Sequence, residues 1–128
     1  YYIYAPKQDP HLRKKWREAW DQSYLTFLSD MRETFAREGV RFGVAISPFG
    51  LGETLQPADK TLLQEKISQL SDLKLDILGV FFDDMPVHSQ LAQVQAQVMK
   101  DIRHSFAGEI VFCPSFYCFD PILEKVFG

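Results

Sequence analysis

The sequence predicts an α/β fold of parallel strand-helix units, amounting to about half of a (β/α)8 barrel. Four short apolar stretches recur at intervals of about 35 residues, and the segments between them have helical periodicity. Continuous apolar runs are typical of parallel strands that are covered on both faces. Alternation of strand and helix favours right-handed crossover units within one parallel sheet.

The first strand is predicted at Tyr1–Ala5, and a helix follows it after a loop. Tyr24, Leu28, Met31 and Phe35 recur at helical spacing. Asp21 or Ser23 is suited to cap the start of this helix, and Gly39 follows its end. Between strand and helix, residues 12–20 combine basic and aromatic side chains and predict a short amphipathic helix.

The remaining elements repeat the same pattern. The other predicted strands are Phe42–Ile46, Ile77–Phe82 and Ile110–Cys113. Pro57 is suited to begin the second helix. The apolar faces of the second and third helices consist of Leu63, Ile67 and Leu70, and of Leu91, Val94, Val98 and Ile102. Gly108 follows the third helix and marks its end.

Composition and charge restrict the possible partners. The chain has 128 residues, a formal charge of -3 and a pI near 5.6. Nucleic-acid-binding domains are usually basic, so no nucleic-acid partner is expected. No run approaches the roughly 18 apolar residues of a membrane span, so no membrane partner is expected either. The sequence leaves open whether the compartment is cytoplasmic or secreted.

Two parallel architectures compete, and the first loop separates them. A doubly wound nucleotide-binding sheet requires a glycine-rich turn after its first strand, whereas residues 5–10 read Ala-Pro-Lys-Gln-Asp-Pro. The other architecture is a (β/α)8 barrel, and four strands are half of one. Because the chain begins within a strand, we expect residues 1–128 to be a partial barrel domain, truncated at both ends. Its open strand edges would then be covered by the missing parts or by self-association.

Polar side chains follow each predicted strand. They are Lys7 and Asp9 after the first, Ser47 after the second, Asp83 and Asp84 after the third, and Ser115 and Tyr117 after the fourth. In a barrel these residues converge on the rim that carries the chemistry. Nucleophilic serine chemistry is unsupported, because no GxSxG elbow surrounds either serine.

Asp83-Asp84 is the most informative pair, because it closes an otherwise apolar strand. Adjacent carboxylates raise one another's pKa and can divide into an acid and a base. A helix cap explains one aspartate equally well. A magnesium site is a further alternative, with Asp9 as a ligand from the neighbouring loop. Spacing alone leaves these interpretations open.

Seven short motifs, taken together, resemble the catalytic domain of family 84 glycoside hydrolases. This family comprises the O-GlcNAcases and the bacterial β-N-acetylglucosaminidases that are also called hyaluronidases. In chain order the motifs are Tyr4-Ala5-Pro6-Lys7, Asp9-Pro10, Trp16-Arg17-Glu18, Ala45-Ile46-Ser47-Pro48, Phe81-Phe82-Asp83-Asp84, Phe112-Cys113-Pro114 and Tyr117-Cys118. They occur in order across nearly the whole chain and fall on all four predicted strand ends.

The resemblance implies a (β/α)8 barrel that removes terminal β-linked N-acetylglucosamine from a glycoprotein or glycan, with retention of configuration. The substrate's own acetamido group attacks and forms an oxazoline, and no metal or organic cofactor is needed. By analogy, Asp83 orients the acetamido group, and Asp84 is the general acid and then the base. Lys7 and Tyr117 match substrate-binding residues of the family.

The sequence also departs from the family pattern. Gln8 replaces the first of two acids that commonly follow the lysine, and Phe49 stands where a glycine usually follows Ser-Pro. A glycine-rich first strand would precede Tyr1, and further sugar-binding residues would follow Gly128. We therefore expect the segment alone to be inactive. The alternatives are a non-catalytic sugar-binding or scaffold barrel and a magnesium-dependent phosphohydrolase.

Overall fold

A computed structural model of the protein describes residues 1–83 and 85–115. Within these ranges a four-stranded parallel sheet has the strand order β1-β2-β3-β4, with helices between the strands. The elements are β1 (Tyr2–Tyr4), a 3-10 turn (Pro10–Leu12), α1 (Gln22–Arg37), β2 (Phe42–Ile46), α2 (Pro57–Asp72), β3 (Ile77–Phe81), α3 (Leu91–Ser105) and β4 (Glu109–Cys113). The predicted α/β fold is confirmed. Each strand pairs with the next one along the chain, as strands do in a barrel.

The register of the sheet brings the carboxyl ends of the strands to one edge. Tyr4 pairs with Val44, and Ile46 pairs with Val80. Because all three pairings are parallel, the loops after the strands emerge side by side. This edge is where the candidate residues of the sequence are expected.

The helices begin and end where local chemistry predicts. The Asp21 carboxylate accepts a hydrogen bond from the Tyr24 backbone N–H at 2.8 Å, so Asp21 rather than Ser23 caps α1. Gly39, just after α1, has a φ of 70°, which favours glycine. Pro57 is the first residue of α2, where its missing N–H costs no helical hydrogen bond.

The predicted amphipathic helix at residues 12–20 is wrong. After the 3-10 turn, residues 13–17 form successive turns instead. Burial of two indoles explains the difference. Trp16 donates its ring N–H to the Phe49 carbonyl at 2.8 Å, and Trp20 donates its ring N–H to the His11 carbonyl at 3.2 Å. Both rings are buried, and the turns place each one against its acceptor.

The core lies between the two central strands and the helices. Every residue of β2 is buried, as are four of the five residues of β3. The outer strands are more open, with Tyr2 of β1 and Phe112 of β4 exposed by 44% and 43%. No helix in residues 1–83 and 85–115 is both long enough and apolar enough to cross a membrane.

Strands β2 and β3 approach so closely that glycine is required between them. A Cβ atom added to Gly43 would lie 2.6 Å from the Ile77 carbonyl oxygen, and one added to Gly79 would lie 2.7 Å from the Ala45 Cβ. Backbone atoms of a central strand cannot move without disturbing both neighbouring ladders. The two glycines therefore set the spacing at the centre of the sheet.

We expect Gly43→Ala to lower the free energy of unfolding by roughly 1–3 kcal/mol, because the added methyl group overpacks a rigid site. Thermal unfolding followed by circular dichroism measures the change. Gly52→Ala is the matched control, since its Cβ would meet only the Thr54 carbonyl oxygen at 3.8 Å. An equal loss of stability in both variants would contradict the claim that close packing at position 43 requires glycine.

Candidate functional site

A pocket opens at the edge of the sheet where β1, β2 and β3 end. Its polar lining consists of Lys7, Arg13, Ser47 and Asp83, and its apolar lining consists of Ala5, Pro6, Leu12, Ala45 and Phe81. Three of the polar residues were predicted from their positions after strands. Arg13 was not, because it lies within the loop rather than directly after a strand. The pocket is the candidate functional site.

Lys7 and Asp83 face each other across this pocket. The Lys7 Nζ atom lies 3.9 Å from Asp83 Oδ2, and the two side chains are exposed by 67% and 27%. Solvent screening limits such a pair to about 1 kcal/mol or less. The lysine therefore stays accessible at the mouth of the pocket, and the partly buried carboxylate has a positive charge close by.

Asp83 is held in place through the residue before it. The Phe82 backbone N–H donates to the Cys113 carbonyl of β4 at 2.8 Å, and the Met85 N–H donates to the Phe82 carbonyl at 3.2 Å. Ser115, which follows β4, donates its hydroxyl to the same Phe82 carbonyl. Ser115 thus points back to the backbone beside the acidic pair instead of lining the pocket.

Two predicted site residues, Asp84 and Tyr117, lie outside the described residues. Their proposed roles as acid/base and as acetamido-pocket residue stay predictions. The same holds for any contact between either of them and Lys7, Arg13 or Asp83.

Asp9 belongs to the loop structure. Its carboxylate accepts hydrogen bonds from the Tyr24 hydroxyl at 2.8 Å, the Tyr4 hydroxyl at 3.2 Å and the His11 backbone N–H at 2.9 Å. Burial, followed by the bond to Asp9, raises the pKa of Tyr24 above its ordinary value. The suggested magnesium role of Asp9 is thus unsupported. Within residues 1–83 and 85–115, no three His, Cys, Asp or Glu side chains are grouped to hold a metal.

Arg17 fixes the loop after β2. Its guanidinium binds both carboxylate oxygens of Asp59 at 2.6 and 3.0 Å and donates to the carbonyls of Phe49 and Gly50 at 2.8 and 3.1 Å. The bond from Arg17 lowers the pKa of the Asp59 carboxyl group. Gly50 has a φ of 79°. This left-handed conformation favours glycine at position 50.

Lys66 of α2 contacts the loop between β1 and α1, and the sequence analysis did not single it out. Its Nζ atom donates to the Glu18 carbonyl at 2.7 Å and lies 4.2 Å from the centre of the Trp20 ring. The side chain is buried. Burial lowers the pKa of Lys66 to about 8, against the opposing effect of Glu18 and Glu65. No sequence signal distinguishes Lys66 from a solvated helix lysine.

We compare the free energy of unfolding of the protein with that of a Lys66→Met variant. We expect the difference to rise in favour of the unaltered protein by roughly 1–3 kcal/mol between pH 7 and 10.5. Burial penalises the charged ammonium, and the folded pKa near 8 lies below the unfolded value. Between the two pKa values the unfolded chain binds more protons, so rising pH favours folding. Denaturant unfolding at several pH values measures the difference. A pH-independent difference would contradict it.

Comparison with protein families gives a match over almost the whole chain. The model of the beta-N-acetylglucosaminidase family matches residues 1–124. The proteins named Protein O-GlcNAcase of Rattus norvegicus and of Mus musculus are each 31% identical over 134 residues, covering 91% of this chain. The chain spans only 14% of the length of these curated relatives.

Solved structures with the same fold are similarly larger. A mutant of the O-GlcNAc hydrolase of Thermobaculum terrenum superposes with a TM-score of 0.77 and 30% identity, covering 98% of this chain and 30% of that one. The protein CpGH84B superposes with a TM-score of 0.74 and 32% identity, covering 91% of this chain and 22% of that one. The sheet thus corresponds to part of a larger barrel.

Proposed function

Because the chain belongs to the β-N-acetylglucosaminidase family, we propose that it carries the acid/base pair of an enzyme that hydrolyses terminal β-linked N-acetylglucosamine. One observation supports this most directly. The first aspartate of the pair lies in a pocket at the carboxyl edge of the sheet, 3.9 Å from the lysine of the neighbouring motif. This edge carries the active site in (β/α)8 enzymes.

The proposed mechanism uses the substrate's acetamido group as nucleophile. Asp83, charged, accepts a hydrogen bond from the acetamido N–H and thereby directs the acetamido oxygen to the anomeric carbon. The carbon-oxygen bond to the leaving group breaks as the oxazoline ring forms. The Lys7 ammonium lies 3.9 Å from the Asp83 carboxylate, on the same side of the pocket edge where this role is proposed.

Asp84 acts as general acid for the departing oxygen and then as base for the water that opens the oxazoline. The acetamido oxygen attacks the face opposite the leaving group, and water then attacks the face from which the leaving group departed. These two inversions give net retention. Lys7 binds a sugar hydroxyl from above the pocket, and Tyr117 assists the acetamido group. This division of roles requires a protonated Asp84 beside a charged Asp83.

We further propose that residues 1–128 are one part of a longer catalytic domain. The support is that they cover 30% and 22% of the two solved chains, and that the outer strands β1 and β4 are only partly buried. Open edges of a parallel sheet require a cover, here further strands of the same barrel or a second copy. On this proposal the segment alone has no turnover.

In the full protein, we expect Asp84→Asn to reduce kcat by at least about a hundredfold on an N-acetyl-β-glucosaminide with a poor leaving group. The reduction should be smaller on an activated aryl glycoside, whose leaving group needs little protonation. Asp72→Asn is the matched control, because this aspartate is exposed at the end of α2. Release of the aryl alcohol measures turnover.

Unchanged kinetics of Asp84→Asn would exclude Asp84 as the general acid. Absence of turnover in the unaltered full protein would instead favour a non-catalytic scaffold barrel. Activity that disappears with a chelator and returns with Mg²⁺ would favour the phosphohydrolase alternative. The substrate-assisted mechanism predicts that the chelator has no effect, because neither attack nor protonation involves a metal ion.

We also expect Lys7→Ala to raise KM by about tenfold, because the variant loses one charge-assisted hydrogen bond to the sugar. Lys14→Ala is the control, since Lys14 is another exposed lysine of the same loop. Steady-state kinetics of both variants measure the effect. Equal KM values for the two variants would contradict the proposal that Lys7 binds the sugar.

A further inference from the structure

We propose that Gln95 and Ser115 form a hydrogen-bonded pair that positions Asp83 and Asp84 for catalysis. The proposal rests on the proposed function, because it concerns the geometry of the same acidic pair. Neither residue touches the pocket that Lys7 and Asp83 line. They are therefore positioning residues, and they act through the backbone of Phe82.

The direction of the hydrogen bonds is determined by the donors. Ser115 donates its single hydroxyl hydrogen to the Phe82 carbonyl. Its oxygen then has lone pairs to accept a bond, and the Gln95 Nε2 amide lies 2.8 Å away. The amide group of Gln95 is thereby oriented with its nitrogen towards Ser115. A donor chain runs from α3 through the end of β4 to the end of β3.

These bonds converge on the residue that precedes the acidic pair. The Phe82 carbonyl accepts from Ser115 and from the Met85 N–H, and the Phe82 N–H donates to β4. The Met85 bond spans the two sequence positions that hold Asp83 and Asp84. The peptide of Phe82 is thus restrained on both sides. Its rotation would move Asp83 relative to the pocket and, through the chain, would carry the next residue in the sequence with it.

Packing alone does not explain a glutamine at position 95. Gln95 lies on the apolar stripe of α3 beside Val94 and Val98, and it is only 6% exposed. A buried amide is costly unless its hydrogen bonds are made, so an aliphatic side chain would pack there at lower cost. Gln95 also lines an apolar cavity with Met85 and Pro86, the residues that follow the acidic pair.

The test compares three serine variants in the full protein. Ser115→Ala removes the donor, Ser115→Thr keeps it, and Ser105→Ala removes a serine hydroxyl that donates to a carbonyl at the exposed end of α3. Turnover is measured on one aryl glycoside with an activated leaving group and on one glycoside with a poor leaving group. Met85 amide hydrogen exchange is measured alongside.

We expect Ser115→Ala to lower kcat by about ten- to a hundredfold on the poor leaving group, because the acid is misplaced by a fraction of an ångström. The loss on the activated glycoside should be several times smaller, and KM should change by less than about twofold. Ser115→Thr should restore activity, and Gln95→Leu should reproduce part of the loss. Ser105→Ala should behave as the unaltered protein.

Two results would overturn the positioning role. One is unchanged kcat in Ser115→Ala. The other is an equal loss on both glycosides, which indicates fewer folded molecules rather than a displaced acid. If the unaltered protein hydrolyses neither glycoside, the proposed function fails. Met85 amide exchange then tests the Gln95–Ser115 pair by itself. The pair predicts about tenfold faster exchange in Ser115→Ala and unchanged exchange in Ser105→Ala.

Discussion

The close contact between β2 and β3 is the constraint on which the rest of the structure depends. Only glycine at positions 43 and 79 lets the two backbones pair at this distance. The contact brings the carboxyl ends of β1 and β3 to either side of the short, buried Ser47. A long side chain after β1 can then reach a carboxylate after β3. The opposed charges of the pocket follow from that packing.

Much of the architecture could be predicted, because each signal was local. Asp21, Gly39 and Pro57 mark helix ends through backbone chemistry that needs no tertiary contact. The apolar runs of β2 and β3 indicated burial on both faces, and both strands are buried. The placement of Lys7 and Asp83 on one edge followed from strand direction alone. Parallel strands share their carboxyl edge whatever the details of packing.

The parts that failed depend on contacts between distant segments. Residues 12–20 have helical composition, but bonds to the carbonyl of Phe49, over 30 positions away, decide their path. Asp9 was considered as a ligand because it lies in the loop that follows β1. The tyrosines that bind it lie on β1 and α1, and their contact with Asp9 depends on the folded structure. Gln95 did leave a signal, since it is a polar residue on an otherwise apolar stripe. That signal indicates a buried partner without naming it.

The hydrogen bonds of Arg17 divide the β2–α2 loop into a part that is bound to Arg17 and a more exposed part. Phe49 and Gly50 are held through their carbonyls, and Asp59 is held at the start of α2. Residues 51–56 between them are mostly exposed and cross from one held point to the other. Insertions there cost little closure entropy and leave the edge of the sheet undisturbed. The length of this segment can therefore change without rebuilding the carboxyl edge that holds Lys7 and Asp83.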